Sequence, residues 1–152
     1  MGFFDGYDIA TSGMSAERTR INVVSANIAN AQTTHTKDGG PYKKQEVVFE
    51  DVLLDAIQKD SKSSSSTENT IGASSLRAVG VKSILDSTDE PIMKYDPTHP
   101  DANKDGYVAY PNINPVIEMV DLIEAMRSYE ANVSAFKAQK DIDTKTLDII
   151  RT

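Results

Sequence analysis

PVIEMVDLIEAMRSYEANVSAF, residues 115–136, decides the fold. Met119, Met126 and Val133 stand seven residues apart, Leu147 continues the row, and only Lys140 interrupts it. Leu122 or Ile123, Tyr129, Phe136 and Ile150 fill the alternate rows. A seven-residue repeat with apolar residues between its members describes a helix with one apolar seam. Pro115 stands at its start, where a missing N–H costs nothing. The pattern predicts a helix over 115–150, roughly 50 Å long at 1.5 Å per residue. A chain of 152 residues has little use for so long a helix unless something packs along it.

The partner comes from the other end of the chain. Over residues 4–31, Tyr7, Met14, Ile21 and Ile28 fall seven apart, and Ala10, Val24 and Ala31 lie three residues after the first, third and fourth of them. This is a second a/d seam, with Glu17 as its one polar defect. Ser15, Arg18, Asn22 and Ser25 make the wettable face opposite. Gly13 weakens the helix slightly, and Thr33, Thr34 and then Asp38-Gly39-Gly40-Pro41 end it.

Between the helices the pattern changes. Residues 42–49 read as a short strand, and Phe49, Val52, Leu53, Ala56 and Ile57 share a face if 50–58 form a helical turn. Residues 60–70 are small, polar and unpatterned, the composition of a flexible loop. Val79, Val81 and Leu85 lie on one parity of a strand over 76–85, and 91–95 and 106–110 are two more short strands. The fold class is therefore α+β: long N- and C-terminal helices paired as a coiled-coil-like hairpin, with a small antiparallel β-rich middle region. The expected units are an N-terminal assembly helix (1–34), a β-rich middle (35–114) with the Ser-rich loop at 60–70, and a C-terminal assembly helix (115–152).

Several function classes are disfavoured. The net charge is -7 and no basic patch occurs, so nucleic acid is a poor partner. The chain has no cysteine, which removes disulfides, thiolate catalysis and Cys-based zinc sites. No run of about 18 apolar residues is present, so no direct membrane insertion is expected. The first residues lack a basic region followed by an apolar one, so no secretory signal peptide is expected. His35 and His99 lie in separate loops, no Gly-x-Ser-x-Gly elbow occurs, and no Gly-rich phosphate loop is found. The expectation is a non-enzyme with no cofactor and no catalytic or metal residues.

Asp101, Asn103, Asp105, Gly106 and Val108 match the opening of a calcium loop. Asn112 then stands where a bidentate Glu should close the site, so a turn built from Asp, Asn and Gly is the stronger reading. A calcium-stabilised helical-hairpin binding module remains the alternative function. A stand-alone two-helix adaptor is a further rival.

The remaining feature is Ala26-Asn27-Ile28-Ala29-Asn30-Ala31-Gln32-Thr33-Thr34. Asn is a poor helix former, and two of them three residues apart share one side of the helix. Flanking Ala keeps that surface small. Asn30 alone reads as a helix cap. With Asn27 and the Ala spacing, the segment reads as a helix–helix contact carrying amide hydrogen bonds.

This segment, preceded by Met14-Ser-Ala-Glu-Arg-Thr-Arg-Ile-Asn-Val-Val-Ser25, resembles the N-terminal signature of flagellar axial proteins of the rod and hook group. The run Glu118–Val133 resembles the matching C-terminal segment. Pro41–Phe49, Tyr95–Asn103 and Gly106–Asn114 are similar to proximal-rod members of that family. The resemblance implies a structural subunit of the flagellar basal-body rod, in the periplasmic space, exported by the flagellar type III apparatus. Its implied partners are copies of itself, other rod subunits and the basal-body adaptor protein that links the rod to the membrane ring. It also implies terminal helices that order fully only on assembly, and a rod that transmits torque. The expected assembly interface is Met14, Ile21, Val24, Asn27, Ile28 and Asn30 on the first helix. On the second it is Met119, Ile123, Met126, Tyr129, Val133 and Phe136.

Overall fold

A computed structural model describes residues 5–37, 39–53 and 76–151. Helix α1 spans Asp5–Ala29, followed by strands β1 (Gln45–Leu53), β2 (Arg77–Asp86), β3 (Ile92–Tyr95) and β4 (Tyr107–Tyr110), and helix α2 (Pro115–Arg151) closes the chain. The α+β class and the terminal helix pair stand as expected. The Ser-rich loop at 60–70, the 54–58 part of the expected helical turn and the side chain of Ile150 lie outside the described residues.

α2 begins where Asn114 turns its side chain back, its Oδ1 accepting the Val116 N–H at 3.0 Å. Pro115 then occupies the first helical position, where Asn caps and Pro starts are both favoured. The helix runs 37 residues, about 55 Å. α1 lies antiparallel along it. Asn27 meets Glu118 at one end, and Tyr7 meets Asp143 near the other.

The strands form two hairpins rather than one sheet. β1 and β2 pair antiparallel from Gln45↔Asp86 to Leu53↔Arg77. The register shifts between Val48↔Ser83 and Phe49↔Val81, leaving Lys82 as the extra residue of a bulge. The helical turn expected from residue 50 is thus not formed: β1 continues through Leu53. Phe49, Val52 and Leu53 fit a helical face in isolation, but the ladder to β2 satisfies their backbone and no packed surface rewards a helix there. An Arg77–Asp51 ion pair bridges the strands near that end.

The hairpin packs on α1 beside α2, with its Gln45 end next to the Glu118 end of α2. Ser12 Oγ accepts the Val79 N–H at 3.3 Å, and Ala16 and Val23, further along α1, are buried. On β2 the side turned inward carries the buried Ala78, whereas Val79 and Leu85 are exposed. The Val79–Val81–Leu85 parity is therefore not the core face. A residue as small as Ala78 lets the strand approach α1 closely. β3 and β4 pair from Ile92↔Tyr110 to Tyr95↔Tyr107 as a separate finger. Its loop turns at Gly106, whose φ of +80° only Gly adopts without strain.

Candidate functional site

The contact between α1 and α2 is built from small and polar side chains. On α1 the row is Gly6, Gly13, Arg20 and Asn27; on α2 it is Glu118, Ala125, Asn132 and Gln139. A Cβ on Gly13 would sit 2.9 Å from the Asn132 amide nitrogen, and one on Gly6 would touch Gln139. Ala125 is 0% exposed, and Arg20 reaches Glu124 at 3.9 Å beside it. Tyr7 packs edge-on against Phe136 with ring centroids 4.9 Å apart, and its hydroxyl donates to Asp143 at 2.5 Å. That bond, with burial and the negative charge of Asp143 adding to it, pushes the Tyr7 pKa up to about 12. Glu17 remains a defect: its Oε2 is buried without a hydrogen-bond partner among the described residues.

The seam is therefore displaced by one residue from the Met119–Met126 row, whereas Leu122, Tyr129 and Phe136 of the alternate row stay on its inner side. Met119 and Met126 do not face α1; they are 51% and 48% exposed, and Ile123 is exposed with them. Together with Val116 and Val120 they make an apolar stripe along the first half of α2 that no described residue covers. The reason is steric and electrostatic at once. Gly13 and Ala125 let the axes approach closely, and the polar members of the row find partners there. Lys140, read as an interruption, lies outside the seam, and Gln139 takes its place.

At the upper end of the pair three segments converge on Asn27, which is 1% exposed. Its Oδ1 accepts the Gln45 N–H at 2.9 Å, and its Nδ2 donates to the Gln45 carbonyl at 2.9 Å. The side-chain amide thus imitates a neighbouring strand and covers the open edge of β1 at that residue. Nδ2 also donates to Glu118 Oε2 at 3.1 Å, and the Tyr42 hydroxyl donates to Oδ1 at 3.3 Å. Glu118 is 2% exposed, and its other oxygen lies 3.0 Å from Lys44 Nζ. That hydrogen bond, with the charges of Glu118, Glu46 and Asp121, raises the Lys44 pKa despite partial burial. Burial, then the charges of Asp86 and Glu118, raises that of Tyr42. A cleft of about 220 Å³ opens beside this clamp between Arg20, Val23, Lys44 and Asp121.

The other expected residues sort by place. Val24 is buried beside the clamp. Met14 and Tyr129, from opposite helices, line one shallow groove with Thr11 and Arg18. Ile21, Ile28 and Val133 are half-buried. Asn30 does not cross to α2; its Nδ2 donates to the Ala26 carbonyl at 2.9 Å and its Oδ1 accepts from Thr33 at 3.1 Å, so it caps α1. Glu118, Lys44, Gln45 and Asn132 were not singled out by the sequence. The available signal was an acidic residue in the first turn of an otherwise apolar helix face.

The loop read as a calcium candidate is occupied by its own hydrogen bonds. Asn103 Oδ1 accepts the Asp105 and Tyr107 N–H groups, and Asp101 accepts from Thr34 at 2.7 Å. Among the described residues no three acidic or histidine side chains are grouped to hold a metal, so the calcium alternative gains no support. No described helix is long and apolar enough to cross a membrane.

Residues 8–35 match the family described as flagella basal body rod protein, and residues 104–149 match the C-terminal family of the flagellar basal body rod proteins FlgE, FlgF and FlgG. These are the two ends that form the helix pair. Over 99% of its length the chain is 39% identical to the flagellar basal-body rod protein FlgC of Borreliella burgdorferi, covering 99% of that protein. It is 38% identical to FlgC of Bacillus subtilis over 98% of this chain and 99% of that one. With FlgC of Aquifex aeolicus it shares 39% identity over 97% of each.

Proposed function

The chain belongs to the FlgC family of flagellar basal-body rod proteins, and from that premise we propose that it is a structural, non-catalytic subunit of the proximal rod, assembled through its terminal helices. The observation that carries this reading is the apolar stripe Val116, Met119, Val120, Ile123 and Met126, which no described residue covers. Stripes of this kind on a monomer mark protein–protein contact, and its helical spacing suits a neighbouring helix. In this reading residues 1–34 and 115–152 are the assembly helices, and the middle region 35–114 projects to the outside.

The partners are other rod subunits, copies of this chain and the adaptor that joins the rod to the membrane ring. Delivery is by the flagellar type III export apparatus into the periplasmic space, where the rod transmits torque. Fixing each residue costs about 1–2 kcal/mol of backbone entropy. A helix with one face uncovered offsets little of that alone, so the outer end of α2 gains its full order when neighbours cover it.

Complementation of a strain lacking this chain tests the proposal. The intact chain restores swimming and copurifies with basal bodies; the chain lacking residues 26–34 does neither. Normal swimming with the deleted chain overturns it.

A further inference from the structure

Each hairpin has two outer strand edges, and the hydrogen bonds show which are held. On β4, Asn103 takes both outward groups of Tyr107: its N–H donates to the carbonyl at 2.9 Å and its Oδ1 accepts the N–H at 2.9 Å. On β2, Ser12 Oγ accepts the outward Val79 N–H, and the bulge at Lys82 breaks the edge further along. On β1, Asn27 holds Gln45 at the very start. The Lys44 carbonyl turns inward to the Ser87 N–H, and antiparallel pairs alternate between inward and outward backbone groups. Val47, Phe49, Asp51 and Leu53 therefore aim theirs outward, and no described residue takes them. On β3 the Asp96 N–H turns inward to the Gly106 carbonyl, so Met93 and Tyr95 aim outward, likewise untaken among the described residues. β1 beyond Gln45 and β3 are the open edges.

We infer that the β3 edge of one copy pairs antiparallel with the β1 edge of the next, joining their hairpins into one continuous sheet. The charges favour this over either like pairing. Glu46, Glu50 and Asp51 are the charged residues of β1, and Lys94 is that of β3. Pairing β1 with β1 would set acid against acid, and β3 with β3 would set two lysines together. With Tyr95 placed opposite Phe49 and Met93 opposite Asp51, the outward groups bond to one another. Lys94 then stands opposite Glu50, and Ile92 opposite Val52. Of these side chains all but Val52 are exposed. Asp96 falls opposite Val48, and its carboxylate is already bonded by Thr98. The two edges belong to different hairpins, so the contact is head-to-tail and repeats from copy to copy along an open helical row. The pairing rests on the rod reading and specifies one of its contacts.

The chain has no cysteine, so introduced thiols report the pairing. One strain carries two versions of the chain, Glu50→Cys and Lys94→Cys, both at exposed positions. Oxidation of its basal bodies is expected to yield a mixed disulfide dimer, because these two residues form a closely spaced, non-hydrogen-bonded pair. Asp51→Cys with Lys94→Cys, one residue off and on the opposite face, is expected to yield little. Glu50→Lys alone, and Lys94→Glu alone, should each lower the chain recovered in basal bodies roughly fivefold, and the two together in one chain should restore it. Where the intact chain restores swimming, absence of the mixed disulfide overturns the pairing and leaves the rod reading standing. Equal cross-linking through Asp51→Cys, single reversals without effect, or a double reversal that fails to recover do the same. An intact chain that does not restore swimming sinks the rod reading, and this pairing with it.

Discussion

α1 and α2 are both long helices from the ends of the chain, yet they use their surfaces in opposite ways. α1 is enclosed on two sides: α2 meets its Gly6–Gly13–Asn27 row, and the β1–β2 hairpin meets Ser12 and Asn27. Among the described residues no large apolar side chain of α1 is exposed. Among the described residues α2 meets the rest of the chain along one side, on which only Ala125 and Glu118 are fully buried. Val116, Ile117, Met119, Val120, Ile123, Met126, Ile142, Leu147 and Ile149 are left outside. Two helices with similar apolar content thus differ in their role. α1 is the spine on which the chain is built, and α2, in the proposed assembly, is the face it offers.

The largest test of that difference places the same charge on each helix. Ile123→Glu with Met126→Glu alters only the exposed stripe, so the melting transition of the isolated chain should stay within about 0.5 kcal/mol of the parent. Swimming in the complemented strain should nevertheless be lost. Val24→Glu, inside the pair, should cost about 3–5 kcal/mol and unfold α1 and α2 together. Circular dichroism melts and a swarming assay read the two arms. If the α2 double variant melts early, or swims, the division between spine and face is wrong.

Much of this division was legible in the residues, but its phase was not. The seven-residue spacing located both helices, and the β-branched runs located the strands. The error of one residue in the seam has a physical cause. Apolar periodicity identifies the row that needs covering without saying what covers it, and on α2 that row faces away from the chain. Leu122, Tyr129 and Phe136 on the inner side were legible, but the row beside them, Glu118–Ala125–Asn132–Gln139, carries no hydrophobic signal. Asn27 was legible as a buried helix contact because Asn is unfavourable mid-helix. Its chief partner, the Gln45 backbone, was not, since every residue carries the same amide. The run from Phe49 to Leu53 satisfied helical and strand periods alike, and only the β2 ladder settled it.

A middle-sized effect separates the two asparagines of α1. Asn27→Ala leaves the Gln45 N–H and carbonyl and one Glu118 oxygen short of a partner in a partly buried place, which should cost about 2–4 kcal/mol. Asn30→Ala removes a half-buried cap bond to Ala26 and should cost about 0.5–1.5 kcal/mol. Urea unfolding of the two variants measures the gap. Equal losses would mean that Asn27, too, acts only as a local cap, and that α1 is not the spine.

The smallest effect lies at the far end of the pair, where Tyr7 joins α1 to α2. The neutral hydroxyl donates to Asp143, and its pKa stands at about 12 in the fold against about 10 in an unfolded chain. The folded state therefore holds this proton more tightly. The bond's contribution is complete below pH 10 and is lost as pH rises from 10 to 12, where ionisation sets phenolate against carboxylate. The site is open to solvent, so the change in melting temperature should be modest. Tyr7→Phe should melt below the parent at pH 9, with the difference closing by pH 12. The Tyr7→Phe difference titration followed at 295 nm should show the missing phenol ionising later than a free tyrosine. A missing phenol that ionises near pH 10, with a melting difference that does not vary with pH, would detach Tyr7 from Asp143. α2 would then lose one of its ties to the spine at this end, where the Phe136 ring still packs on Tyr7 and Gln139 still lies against Gly6.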